Sequence, residues 1–149
     1  MSAEQAIRIL VVEDDRAVRS FLARALETGG YEPVLPQTGA EALTILRDDA
    51  PVDVALIDGL LPDMHGVRLA RSILDDGLAD PLPLCFVTGG ISESSPPDAG
   101  VAVLSKPMRL KELLAMVGEL LRWRAGAGSS AAERRAALER FEHAFLVGP

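Results

Sequence analysis

A single cysteine, Cys85, stands in these 149 residues, so an internal disulfide is excluded and a reducing cytoplasm is the expected compartment. Lysine is almost missing too: 13 of the 15 basic residues are Arg, and only Lys106 and Lys111 are Lys. No apolar run reaches the roughly 20 residues that a membrane helix needs, so no membrane partner is expected. The opening Met1-Ser-Ala-Glu-Gln5 lacks the basic-then-apolar layout of a secretory signal. Nor is there an excess of positive charge. A net charge of −7 argues against nucleic-acid binding, which needs a concentrated basic surface. What remains is 48% hydrophobic and 25% charged, the make-up of one soluble globular domain.

Short aliphatic runs alternate with helical patterns along the first 125 residues. Ile7 to Val12 is an apolar run ending abruptly in Glu13-Asp14-Asp15, which predicts a buried strand. Val18, Phe21, Leu22, Ala25 and Leu26 then mark one face of a helix that Gly29-Gly30 stops. Tyr31 to Leu35 predicts a second strand. Thr38-Gly-Ala-Glu41 has the pattern of a capping box opening a helix through Leu46. Further strands are predicted over Val52 to Ile57, Leu82 to Val87 and Val101 to Leu104, with helices over His65 to Leu74 and Arg109 to Trp123. Such alternation requires crossover helices and predicts an α/β fold with a doubly wound parallel sheet of five strands. The active crevice of such a sheet lies beyond the strands' carboxyl ends.

One interval breaks the alternation. Gly89 to Gly100 holds Pro96-Pro97 and almost no apolar periodicity, so a loop or one short turn is expected in place of a helix. After Trp123, residues 126–130 read as a flexible linker, and residues 131–149 as an amphipathic helix and tail with Leu138, Phe141 and Phe145 on one stripe. That helix can pack back on its own domain, form a homodimer or dock on a partner. Its Arg134, Arg135 and Arg140 read as a solvated polar face.

The chemistry-bearing residues all fall at predicted strand ends. Glu13 and Asp14 follow the first strand, Asp58 the third, Thr88 the fourth and Lys106 the fifth. Clustered carboxylates repel unless a cation sits among them, and a hard oxygen-ligated ion such as Mg²⁺ fits. A carboxylate can attack phosphorus, while a hydroxyl and an ammonium bind the remaining phosphoryl oxygens. Asp15 reads as the start of the first helix and Asp63 as a turn residue. His65 and His143 read as surface residues, and Cys85 as a small buried hydrophobe.

Ile9-Leu-Val-Val-Glu-Asp-Asp15, Ala55-Leu-Ile-Asp-Gly-Leu-Leu-Pro-Asp-Met-His-Gly66, Val87-Thr88 and Ser105-Lys-Pro107 together resemble the bacterial response-regulator receiver domains of two-component signalling. The resemblance covers residues 7 to about 124 and implies a flavodoxin-like sheet of order 2-1-3-4-5, with residues 1–125 as the receiver domain. It implies a phosphorylation-dependent switch, with Asp58 accepting a phosphoryl group from a histidine kinase or a histidine phosphotransfer protein. Asp14 would bind Mg²⁺ directly and Glu13 mainly through water, with Asp58 and the Leu60 backbone carbonyl as further ligands. Lys106, next to a cis Lys106-Pro107 bond, and Thr88 would contact the phosphoryl group. Such a domain catalyses only its own phosphorylation and dephosphorylation, and its output is protein binding.

Two departures stand out. The family's usual switch aromatic, three positions before the Lys, is Val103 here, and the interval for the fourth helix is Pro-rich. Pro83 to Gly90 is similar to the Phe-Ala-Thr-Gly signature of stand-alone receivers called FAT GUY regulators, which act in general stress signalling of alphaproteobacteria. The rival readings are a pseudo-receiver that binds without phosphorylation and a phosphohydrolase with an Asp nucleophile. The latter usually carries Asp-x-Asp, whereas Gly59 and Leu60 follow Asp58.

Overall fold

The computed structural model describes residues 6–48, 50–89, 93–126 and 128–144. Its elements run β1 (Arg8–Val12), α1 (Arg16–Thr28), β2 (Glu32–Val34), α2 (Gly39–Arg47), β3 (Val54–Asp58), α3 (Gly66–Asp75), β4 (Leu84–Thr88), β5 (Ser95–Asp98), β6 (Val101–Ser105), α4 (Leu110–Ala125) and α5 (Ala131–Glu142). The sheet order is β2-β1-β3-β4-β6-β5. Five strands are parallel, as the alternation predicts, and their order is that of a doubly wound sheet.

The sixth strand is a correction. Where a loop is expected between the fourth and fifth predicted strands, β5 runs antiparallel along β6 at the sheet's outer edge. Pro96 and Pro97 forbid a helix, and a prolyl nitrogen cannot donate to a ladder, so an edge is the position in a sheet that suits them. Ala99 and Gly100, at φ 50° and 74°, turn β5 into β6. Positive φ at both central residues is the signature of a tight hairpin turn. Gly100 is required twice over, because a Cβ there would also lie 2.6 Å from the Trp123 ring. The opposite edge strand, β2, carries Pro33.

Side chains alternate across the sheet and divide the core in two. Ile9, Val11, Leu56, Cys85 and Leu104 pack under α1 and α4. Leu10, Ile57, Phe86, Val101 and Val103 pack under α2, α3 and α5. With no helix between β4 and β6 among the described residues, the face over these two strands is covered by α5. Ala137, Leu138 and Phe141 lie buried there, and the Phe141 ring stacks on Phe86 with centroids 4.1 Å apart. The packed-back arrangement is therefore the one observed.

A second correction concerns Arg134, which is 3% exposed and not on a solvated face. Its guanidinium donates to the carbonyls of Ala99 and Leu82 at 2.9 and 2.5 Å and lies 4.7 Å over the Trp123 ring. Arg135 pairs with Asp75 at 3.0 Å, Arg140 with Asp98 at 2.6 Å, and Glu142 with Arg71. Phe145 lies outside the described residues. Smaller differences occur at helix starts. Thr38 accepts from the Glu41 amide, but the Glu41 side chain accepts from Gln37 and not from Thr38. Phe21, assigned to the core face of α1, is 40% exposed.

Candidate functional site

Four strand ends meet at one rim of the sheet. β1 delivers Glu13 and Asp14, β3 delivers Asp58, β4 ends on Thr88 and β6 leads into Lys106. Their convergence follows from parallel pairing, since β1, β3, β4 and β6 stand side by side and all end at the same edge. Oxygens of Glu13, Asp14 and Asp58 lie within 4.8 Å of one another. This donor set, all carboxylate and all at one point, fits a hard divalent cation.

Lys106 Nζ stands 2.7 Å from Glu13 Oε1 and 3.7 Å from Asp58 Oδ1. The ammonium thus offsets part of the repulsion among the acids. The Lys106 backbone amide donates to the Thr88 carbonyl at 2.9 Å, which fixes the start of the β6–α4 loop against the end of β4. The Lys106-Pro107 peptide is cis, as the resemblance implies. Thr88 is 4% exposed and sits opposite Ser105 in the ladder.

Burial pushes the Glu13 carboxyl up to about 7; its hydrogen bond with Asp58 adds to the rise, and Lys106 opposes it. A nearly buried acid carrying a proton near neutrality is a group poised to give it up to a cation. Asp14 is exposed by contrast. Asp15 caps α1, its carboxylate accepting from the Val18 amide at 3.0 Å, and is absent from the acid cluster.

The loop after β3 is held from two sides. The Leu60 amide donates to Asp58 Oδ1 at 3.3 Å, and Leu60 bridges to His65. Gly66 opens α3 directly against the end of β3: a Cβ on it would lie 2.2 Å from the Asp58 carbonyl oxygen. Asp63, read from sequence as a turn residue, reaches across to the start of α2. Its two oxygens accept from the amides of Gly39 and Ala40 at 2.9 and 3.0 Å, which hold its carboxyl below the usual range. That contact spans 24 residues, so no local pattern announces it. His65 precedes α3 without a side-chain cap bond and is exposed, and Cys85 is fully buried.

A family model described as the response regulator receiver domain matches residues 9–118. The response regulator MprA of Mycolicibacterium vanbaalenii is 42% identical over 133 residues, covering 85% of this chain and 56% of that protein. MprA of Mycobacterium tuberculosis is 40% identical over 121 residues, covering 78% of this chain and 51% of its own length. The chain thus spans about half the length of these curated relatives. Among solved structures, the receiver domain of the hybrid histidine kinase CckA is 34% identical with a TM-score of 0.66, covering 76% of this chain and 98% of that one. A CheY-like receiver domain protein from Methanospirillum hungatei is 27% identical with a TM-score of 0.69, covering 83% of this chain and all of that one.

Proposed function

Because the chain belongs to the response regulator receiver domain family, the signalling switches of two-component systems, we propose that Asp58 is its phosphoacceptor. The observation that carries this reading is the cluster of Glu13, Asp14 and Asp58 oxygens with the Lys106 ammonium 3.7 Å from Asp58. An Asp58 carboxylate oxygen attacks the phosphorus of a phosphohistidine. The new O–P bond forms as the N–P bond breaks, and the histidine nitrogen leaves with its electron pair. Lys106 and the Thr88 hydroxyl bind the transferred oxygens, where their charge and dipole stabilise the transition state. Water later attacks the same phosphorus; the Asp58 O–P bond breaks, the carboxylate leaves with its electron pair, and inorganic phosphate is released.

Glu13, Asp14, Asp58 and the Leu60 carbonyl would hold Mg²⁺, which when bound neutralises charge on the phosphoryl oxygens. The phosphodonor is a histidine kinase or a histidine phosphotransfer protein. An apolar groove of about 440 Å³ beside the site supports protein docking there; it is lined by Ala17, Val18, Phe21, Lys106, Pro107 and Met108. Output is by protein binding, in a cytoplasmic pathway. Intact-mass measurement after treatment with acetyl phosphate and Mg²⁺ tests the assignment. Wild type gains the mass of one phosphoryl group and Asp58→Asn gains none; equal gain by both discards Asp58.

A further inference from the structure

We propose that the groove under α5 is the output surface of this chain: phosphorylation of Asp58 unseats α5, and a partner's amphipathic helix that carries an Arg ahead of its apolar stripe takes its place. The inference rests on Asp58 being the phosphoacceptor. The groove has an apolar floor and a charged rim, acidic at Asp75 and Asp98 and basic at Arg71, which pairs with Glu142. Phe86, Val101 and Val103 form the floor, and the exposed carboxylates of Asp75 and Asp98 stand on opposite rims. Between them the carbonyls of Leu82 and Ala99 point at one guanidinium. If that cation leaves with α5, two backbone acceptors in a largely buried position lose their donor. The occupant is therefore specified: a cation first, a small residue and Leu three and four positions on, and an aromatic seven positions on. Arg134, Ala137, Leu138 and Phe141 supply that pattern now.

The present occupant is a short element joined to the rest by residues 126–130. A helix of 12 residues is marginal on its own. Two of its ion pairs, to Asp75 and Asp98, join side chains about half exposed or more, and pairs of that kind contribute little. Seating then depends on the buried Arg134, Ala137 and Leu138 and on the Phe141–Phe86 stack. That stack stands on the strand that must respond to phosphate. Phe86 lies two residues before Thr88 on the same face, opposite Val103, while Thr88 lies opposite Ser105 and next to Lys106 in space. A phosphoryl group on Asp58 draws the buried Thr88 hydroxyl and the Lys106 ammonium toward it. Withdrawal of Thr88 from a close-packed layer removes support from the Phe86 ring, and the stacked Phe141 loses contact with it.

The groove contains its own reporter. Trp123, the one tryptophan of the chain, lies under the Arg134 guanidinium. The experiment treats the full chain with acetyl phosphate and Mg²⁺, records intact mass and Trp123 emission, and titrates a fluorescein-labelled peptide of residues 131–144. The expected result is a changed emission and peptide binding at least about tenfold tighter to the phosphorylated chain. A peptide carrying Arg134→Ala loses that binding. Full-length Phe141→Ala, whose own helix is loosened, binds the peptide without phosphate. A gain in mass with unchanged emission and no peptide binding overturns the inference and leaves the phosphoacceptor assignment standing. Absence of any mass gain in the wild type overturns both. Failure of Phe141→Ala to bind the peptide overturns the groove as a helix receptor.

Discussion

Glu13 and Lys106 are each other's nearest charged partners, yet burial keeps the Glu13 carboxyl up at about 7. Without metal, the folded chain retains a proton that the unfolded chain releases between its ordinary value and about 7. The unfolded state binds fewer protons in that window, so metal-free stability falls as pH rises through it. Cation binding requires the carboxylate and so strengthens in the same direction. Urea midpoints at about pH 5 and about pH 8 should therefore show a larger Mg²⁺-induced gain at the higher pH. Glu13→Gln should flatten that difference. Gly66 supplies a second test, because its Cβ would meet the Asp58 carbonyl oxygen at 2.2 Å. Gly66→Ala should displace the backbone beneath Asp58 and cost about 1–3 kcal/mol in urea unfolding, with slowed phosphoryl uptake from acetyl phosphate. At this scale the acids, Thr88 and Lys106 were legible because strand ends in a parallel sheet must converge. Asp63 was not, since its bonds to Gly39 and Ala40 depend on how two distant loops meet.

α5 carries the predictions that belong to an element. Phe141 is 8% exposed and stacked on a fully buried ring, so Phe141→Ala should cost about 3–5 kcal/mol, read from the urea midpoint. Arg135→Ala, at a pair about half exposed, should cost no more than about 1 kcal/mol. The helix itself was legible from its stripe of Leu138 and Phe141, but its place was not. The apolar run of β4 shows that Phe86 is buried without showing what covers it. The Pro-rich stretch after β4 read as a loop because Pro96-Pro97 excludes a helix. Its pairing with β6 was hidden, because two prolines weaken every local strand signal and only tertiary position makes an edge strand of them. The solvated reading of Arg134 failed for a related reason. Polarity along a helix marks a surface only when no backbone acceptor waits in the partner, and here the hairpin turn at Ala99 presents one.

For the molecule as a whole, the doubly wound architecture followed from the alternation of patterns. The net charge is −7, and no described helix is long and apolar enough to cross a membrane. A sheet of six strands still has two outer borders, and a border with a full row of donors and acceptors invites a foreign backbone to zip on. Both borders here are interrupted by imino acids, Pro33 on one side and Pro96-Pro97 on the other. Each proline removes a donor from its border and makes it a poor template for a foreign strand, so copies crowded together should meet through their helices and leave their strands unjoined.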